Sequence, residues 1–162
     1  MNEGRKNLLK GSQAEAFAVN KLIQMGLSVS MPVFKQCKYD CIVDDGNKLY
    51  KTQIKKITSP PDRPNIVKTR LSSGHYDSSG QMQNKKYNKN DIDSFLFVDL
   101  DKNNCFWMFF DETPDSSITI SYKRSKYANK INYYKDFLIE NVFDSEDRYK
   151  NTDENEGSIF DF

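Results

Sequence analysis

Apolar and polar positions alternate along this chain of 162 residues in short runs, and their period changes from helical to strand-like early. Ser12-Gln13-Ala14-Glu15 has the form of a capping box, and Ala14, Phe17, Ala18, Leu22 and Met25 follow at helical spacing. The pattern predicts a helix from about Gln13 to Met25, stopped by Gly26. Leu27 to Phe34 alternates as a first strand. Two further alternating runs, ending at Asp44 and beginning at Asn47, flank Asp45-Gly46, a dipeptide that accepts positive φ at both positions of a tight hairpin turn.

With a two-residue loop at Asp45-Gly46, Asp40 falls opposite Lys51 and diagonal to Gln53. Because side chains alternate between faces, Asp40, Lys51, Gln53 and Lys55 then share one side. Tyr39, Cys41, Val43, Tyr50, Thr52 and Ile54 share the other. One face is built to pack, and its reverse carries an acid, an amide and two ammonium groups. A cross-strand ion pair between Lys51 and Asp40, worth under ~1 kcal/mol, is the expected role of Lys51.

Beyond the hairpin, the three prolines in Thr58 to Pro64 break regular structure. Asn65 to Leu71 reads as a strand with Ile66, Lys68 and Arg70 on one side. Ser72 to Asn90, rich in Ser, Gly, Lys and amides with His75, Tyr76 and Tyr87 among them, reads as a flexible loop. Phe95 to Leu100 is an apolar run of strand length and predicts a central, buried strand, with Cys105 to Phe110 returning after the turn at Asp101 to Asn104. Ile118 to Lys123 predicts another strand. Tyr133 to Val142 predicts a closing helix that buries Tyr134, Phe137, Leu138 and Val142.

Composition narrows the possibilities. The chain suits one domain, residues 1 to 143, followed by a tail. No apolar run approaches the ~18 residues that would span a bilayer, and Met1 to Lys6 lacks the apolar segment of a signal peptide, so a soluble, cytoplasmic protein is expected. Cys37, Cys41 and Cys105 cannot all pair and make a poor zinc site, so reduced, partly buried thiols are expected.

The net charge of +1 conceals an asymmetry. From Asp144 to Phe162 seven acids meet two bases, a net of −5, which leaves +6 for the rest. Between Lys48 and Lys89 ten basic residues face only Asp62 and Asp77. Such a concentration beside the hairpin suits a polyanion, with Lys56, Arg63, Lys68, Arg70, Lys85 and Lys86 as candidate DNA contacts. The acidic tail is too poor in apolar residues to order itself. Its tip, with Ile159, Phe160 and Phe162, could dock a protein partner and is similar in outline to the acidic, Phe-containing tails of single-stranded-DNA-binding proteins.

The hairpin, with Asp40 on one strand and Gln53-Ile54-Lys55 on the next, resembles the active-site hairpin of the PD-(D/E)XK nuclease superfamily. Within it, the amide at Gln53 is similar to the PD-(D/Q)XK branch of group I intron homing endonucleases. The resemblance spans about residues 8 to 143. It implies an α/β (α+β) restriction-endonuclease-like core, a central mixed sheet flanked by helices, and Mg2+-dependent (or Mn2+-dependent) hydrolysis of phosphodiester bonds in DNA.

It also implies roles. Asp40, Gln53 and Lys55 would be catalytic. The metal ligands would be Asp40, the Gln53 amide oxygen and the Ile54 backbone carbonyl, with Glu15 as the further carboxylate. For Glu15 the capping reading and the metal reading both stand. Duplex cleavage needs two nicks, which implies a homodimer or homotetramer. A Holliday-junction resolvase-like nuclease is the nearest alternative. From another class, the chain could be a DNA-binding protein whose catalytic set has decayed, or an interaction protein recruited by its tail.

Overall fold

A computed structural model describes residues 2–34, 37–76, 78–124 and 132–143; the tail from 144 onward, with its proposed docking tip, lies outside the described residues. The first helix, α1, runs over Glu3–Gln24, ten residues earlier than its pattern predicts. Its N-cap is Asn2, whose Oδ1 accepts the Arg5 amide at 2.9 Å, and not Ser12. Gly11 therefore sits inside the helix, at a cost of about 1 kcal/mol relative to Ala that the surrounding Leu, Lys, Glu and Ala residues offset. The end is as expected: Gly26 takes φ 77°, and the Leu27 amide closes back on the Leu22 carbonyl at 3.1 Å.

Five strands form the central sheet, in the order β1 (Ser28–Ser30), β2 (Cys41–Asp44), β3 (Leu49–Lys56), β7 (Ser94–Asp99), β8 (Asn104–Phe109). Only β3 and β7 pair in parallel, so the sheet is mixed. The first strand is shorter than predicted, with Met31, Val33 and Phe34 exposed beyond it. Every residue of β7 is buried, as an apolar run in the middle of a sheet requires.

Alternation in β7 and β8 supplies two cores. Leu96, Val98, Cys105 and Trp107 pack with Cys41, Val43 and Ile54 against Ala14, Ala18 and Leu22 of α1. On the opposite face Phe95, Phe97, Phe106 and Met108 pack against Val67, Ile118 and Ile120. These last belong to a second sheet of three strands, β4 (Ile66–Arg70), β9 (Ser117–Ser121) and β10 (Asn132–Tyr133), in the order β10-β9-β4. The central sheet thus has a helix on one face and a sheet on the other, an α+β arrangement.

Three further expectations change. Ser72 to Asn90 is not one irregular loop: β5 (Ser72–Tyr76) and β6 (Met82–Lys86) pair as an antiparallel ribbon outside both sheets. The closing helix is two single turns, α2 (Tyr134–Phe137) and α3 (Ile139–Val142), interrupted where Leu138 bridges to Phe106 of β8. In this break the most buried residue becomes Ile139. Cys41 and Cys105 are buried and free, their thiols pushed up to about 12 by burial, whereas Cys37 is exposed.

Among the described residues no helix is long and apolar enough to cross a membrane.

Candidate active site

The hairpin that carries the site differs from its predicted register by two residues. Cys41 pairs with Thr52 and Ile42 with Lys51, so the loop holds four residues, Asp45 to Lys48. Asp45 closes it: its Oδ1 accepts the Asn47 and Lys48 amides, each at 2.8 Å, and Gly46 takes φ 89°. A slip of two preserves every face, where a slip of one would have reversed them. Asp40 is therefore not opposite Lys51 but beside Gln53, on the side of the sheet away from α1. Lys51 makes no ion pair with Asp40; its Nζ donates to the Asn90 carbonyl at 2.7 Å and its amide to Asp93 Oδ2 at 2.8 Å. Tyr39 packs with the second-sheet core and not with Cys41 and Val43.

Asp40 is held by three hydrogen bonds, one through its backbone and two through its carboxylate. Its own amide donates to the Thr52 carbonyl at 2.9 Å, its Oδ2 accepts the Ile54 amide at 2.7 Å, and the same oxygen accepts Gln53 Nε2. Burial pushes its pKa up to about 6, and the negative charge of Glu15 pushes the same way. The Ile54 amide, Lys55 and the Gln53 amide oppose them. Glu15 stands exposed in the middle of α1, near enough for its charge to act on this carboxyl. Because α1 begins at Glu3, Glu15 is not in the first turn and caps nothing. The capping reading of Glu15 is thereby overturned.

Gln53 turns its nitrogen, not its oxygen, toward Asp40. Nε2 also lies 3.3 Å from the Ile54 carbonyl oxygen. Without a cation no other orientation is tenable, since Oε1 would face two acceptor oxygens and no donor. The amide hydrogens thus mark the point where a carboxylate oxygen and a backbone carbonyl converge on positive charge. With Gln53 rotated to present Oε1, and with Glu15 nearby, the donors are all oxygen, which suits a hard divalent ion that keeps several waters. Among the described residues no group of three or more His, Cys, Asp or Glu is placed to hold a metal ion.

Lys55 follows Gln53 by one alternation and is half-buried, which holds its pKa below the usual lysine range, partly offset by the Asp40 charge. Its Nζ donates to the Ser72 carbonyl at 2.9 Å and lies 5.2 Å from the centre of the Tyr87 ring. Ser72 and Tyr87 are the parts of this site that pattern reasoning misses. Both lie in the segment read as a loop, and nothing local announces that its two ends meet at Lys55.

The candidate DNA contacts do not form one patch. Lys56 alternates to the α1 side, away from Lys55, because it pairs with Val98 rather than with a residue of the second core. Arg63 is exposed in the proline loop, 3.3 Å from Asp62. Lys68 and Arg70 are exposed on β4, opposite Thr119 and Ser117, and Lys85 and Lys86 are exposed on β6, opposite Ser73 and Ser72.

The fold is also found in a solved structure. A solved bacterial homing endonuclease, I-Ssp6803I, superposes with a TM-score of 0.64 over 80% of this chain and 86% of its own, at 18% sequence identity, a likeness of fold. A search of curated proteins gave no match. The family model described as PD-(D/E)XK endonuclease matches residues 6–140, nearly the whole described chain, and the protein belongs to that family.

Proposed function

We propose that this protein is a divalent-metal-dependent DNA endonuclease of the homing type, cutting duplex DNA inside the cell as a symmetric oligomer. The observation that carries the reading is the convergence of the Asp40 carboxylate, the Ile54 carbonyl and the Gln53 amide at one point, with the Lys55 ammonium on the same side of β3. Asp40, the Ile54 carbonyl and the Gln53 oxygen, with Glu15 as further carboxylate, would hold a divalent ion, which would supply a water of lowered pKa and positive charge to the phosphate.

The chain's own groups do the rest. Asp40 is locked by the Ile54 amide, so its second oxygen keeps one direction. Lys55 holds the attacking water and sets a positive charge where the pentacovalent phosphate becomes more negative. Its partial burial strengthens that charge by excluding competing water. Gln53, being neutral, leaves the site one charge short of a two-carboxylate version, so metal is held more weakly than there. Mg2+ is the expected ion, with Mn2+ able to replace it.

The test offers supercoiled plasmid, long linear duplex and a four-way junction with and without Mg2+. Cleavage of the duplexes in Mg2+ and none in EDTA is expected. Cutting of the junction alone would favour a resolvase. Salt-dependent binding without any Mg2+-dependent nicking would mean a decayed, DNA-binding relative.

A further inference from the structure

The ribbon β5–β6 stands apart from both sheets, and its two roots grip Lys55: Ser72 opens β5 and Tyr87 follows β6. Along the ribbon, Ser72 pairs with Lys86 and Gly74 with Asn84, which puts Ser72, Gly74, Asn84 and Lys86 on one face. Gly74 offers no side chain, so the Asn84 amide stands alone at its rung. Across from this face, Arg70 of β4 and Ser117 of β9 complete an open groove with Ser72, Asn84 and Lys86, bordered by one acid, Asp115.

Arg70, Asn84 and Lys86 are exposed, and among the described residues their side chains make no hydrogen bond or ion pair. The groove therefore presents two cations and a free amide, and it begins one hydrogen bond from the ammonium that would meet the scissile phosphate.

From this juxtaposition we infer that β5–β6 enters the major groove of the duplex and that Arg70, Asn84 and Lys86 read base edges there. The inference rests on the nuclease reading above. The occupant is duplex DNA because the charge is complementary and the groove is continuous with the site. A two-stranded ribbon, its strands ~4.8 Å apart, fits a groove ~12 Å wide. Arginine and lysine pair with guanine O6 and N7, and asparagine pairs in bidentate fashion with adenine N6 and N7. Asn84 lies two rungs from Ser72, about 7 Å along the strand, so the bases it reaches are within ~2 to 4 base pairs of the cut phosphate.

The experiment uses a plasmid library with a randomised insert of about 20 base pairs. Wild type, Arg70→Ala, Asn84→Ala and Lys86→Ala each cut it in Mg2+, and the cut ends are sequenced. In parallel, sequences bound in Ca2+ are selected and read in the same way. All three side chains are exposed, so circular dichroism should show unchanged folding.

The expected result is that Asn84→Ala flattens a preference by at least about fivefold at one position close to the cut while other positions keep theirs. Arg70→Ala or Lys86→Ala should do the same at a neighbouring position. Variant profiles that superpose on wild type would overturn the inference, as would a wild-type profile with no preference near the cut. Uniform weakening at every sequence with a shallower salt dependence would also overturn it, since that is the signature of phosphate contacts. A wild type that binds selectively in Ca2+ but never cuts in Mg2+ would sink the nuclease reading while leaving the ribbon's role open to the binding profiles, which then decide it.

Discussion

Two pairs of side chains alternate along β3 and live in opposite environments. Thr52 and Ile54 face α1 and are buried; Thr52 Oγ1 shares a hydrogen bond with Ser94 Oγ at 3.0 Å, and Ile54 is sealed among Cys41, Val43 and Leu96. Gln53 and Lys55 face the other way, half-buried. The amide there is turned to two acceptors, and the ammonium and the neighbouring carboxyl are both pushed toward their neutral forms by burial. The contrast shows how a strand divides its labour: one face gains stability from packing, and the next residue along spends some of it to hold groups in a state that favours an incoming ion and phosphate.

The sharpest way to break this comparison is to truncate on the functional face. Lys55→Ala should lower plasmid nicking by about 10²- to 10³-fold, the effect of removing one transition-state charge donor, with unfolding little changed. Truncation on the packing face should do the reverse. Ile54→Ala should destabilise the fold by about 2 to 5 kcal/mol in a denaturant titration, because it opens a cavity under α1. The rate per folded molecule should hold, since it is the Ile54 carbonyl and amide that serve the site.

The charge at position 53 sharpens it further. Gln53→Glu adds a second carboxylate beside Asp40 and removes the Nε2 donor. The Mg2+ concentration for half-maximal cleavage should fall by roughly tenfold, and in EDTA the variant should unfold at a lower temperature than wild type at neutral pH. Failure of both shifts would separate Gln53 from the cation.

The smallest effect is a pH dependence in the metal-free protein. Burial raises the Asp40 pKa from the ordinary 3.8 to about 6 in the fold, so the native state holds its proton more tightly than the unfolded chain. The contribution of this group is therefore full below pH ~4, falls as the pH rises through that window and stays low above pH 6. Asp40→Asn does not titrate. In EDTA its melting temperature should exceed that of wild type above pH 6, and the gap should shrink as the pH falls to 4.

Most of this was legible in the chain, for physical reasons that also explain the exceptions. The sharing of one face by Asp40, Gln53 and Lys55 survived an error in loop length because the error was an even number of residues. The loop length itself was not legible: Asp45-Gly46 serves a two-residue turn and a four-residue turn equally well, and the choice is made by Asp45 Oδ1 accepting two amides. The burial of β7 was plain from six consecutive core-facing residues. The true start of α1 was hidden by Gly11 and by a second, unused capping pattern at Ser12. Hardest was β5–β6, because Ser, Gly, Asn, Gln and Lys carry no strand signal and the ribbon is defined by cross-strand pairing alone. Its contact with Lys55 is a tertiary one, between segments 17 and more residues apart, which no local pattern encodes.

The most direct test of the central claim is the Mg2+ dependence of supercoiled-plasmid cleavage by wild type and Asp40→Asn side by side. The account predicts that wild type converts plasmid to nicked and linear forms as Mg2+ is raised and does nothing in EDTA, while Asp40→Asn, folded and still able to bind DNA, is slower by at least about 10³-fold at every Mg2+ concentration. Cleavage by Asp40→Asn at the wild-type rate would contradict it.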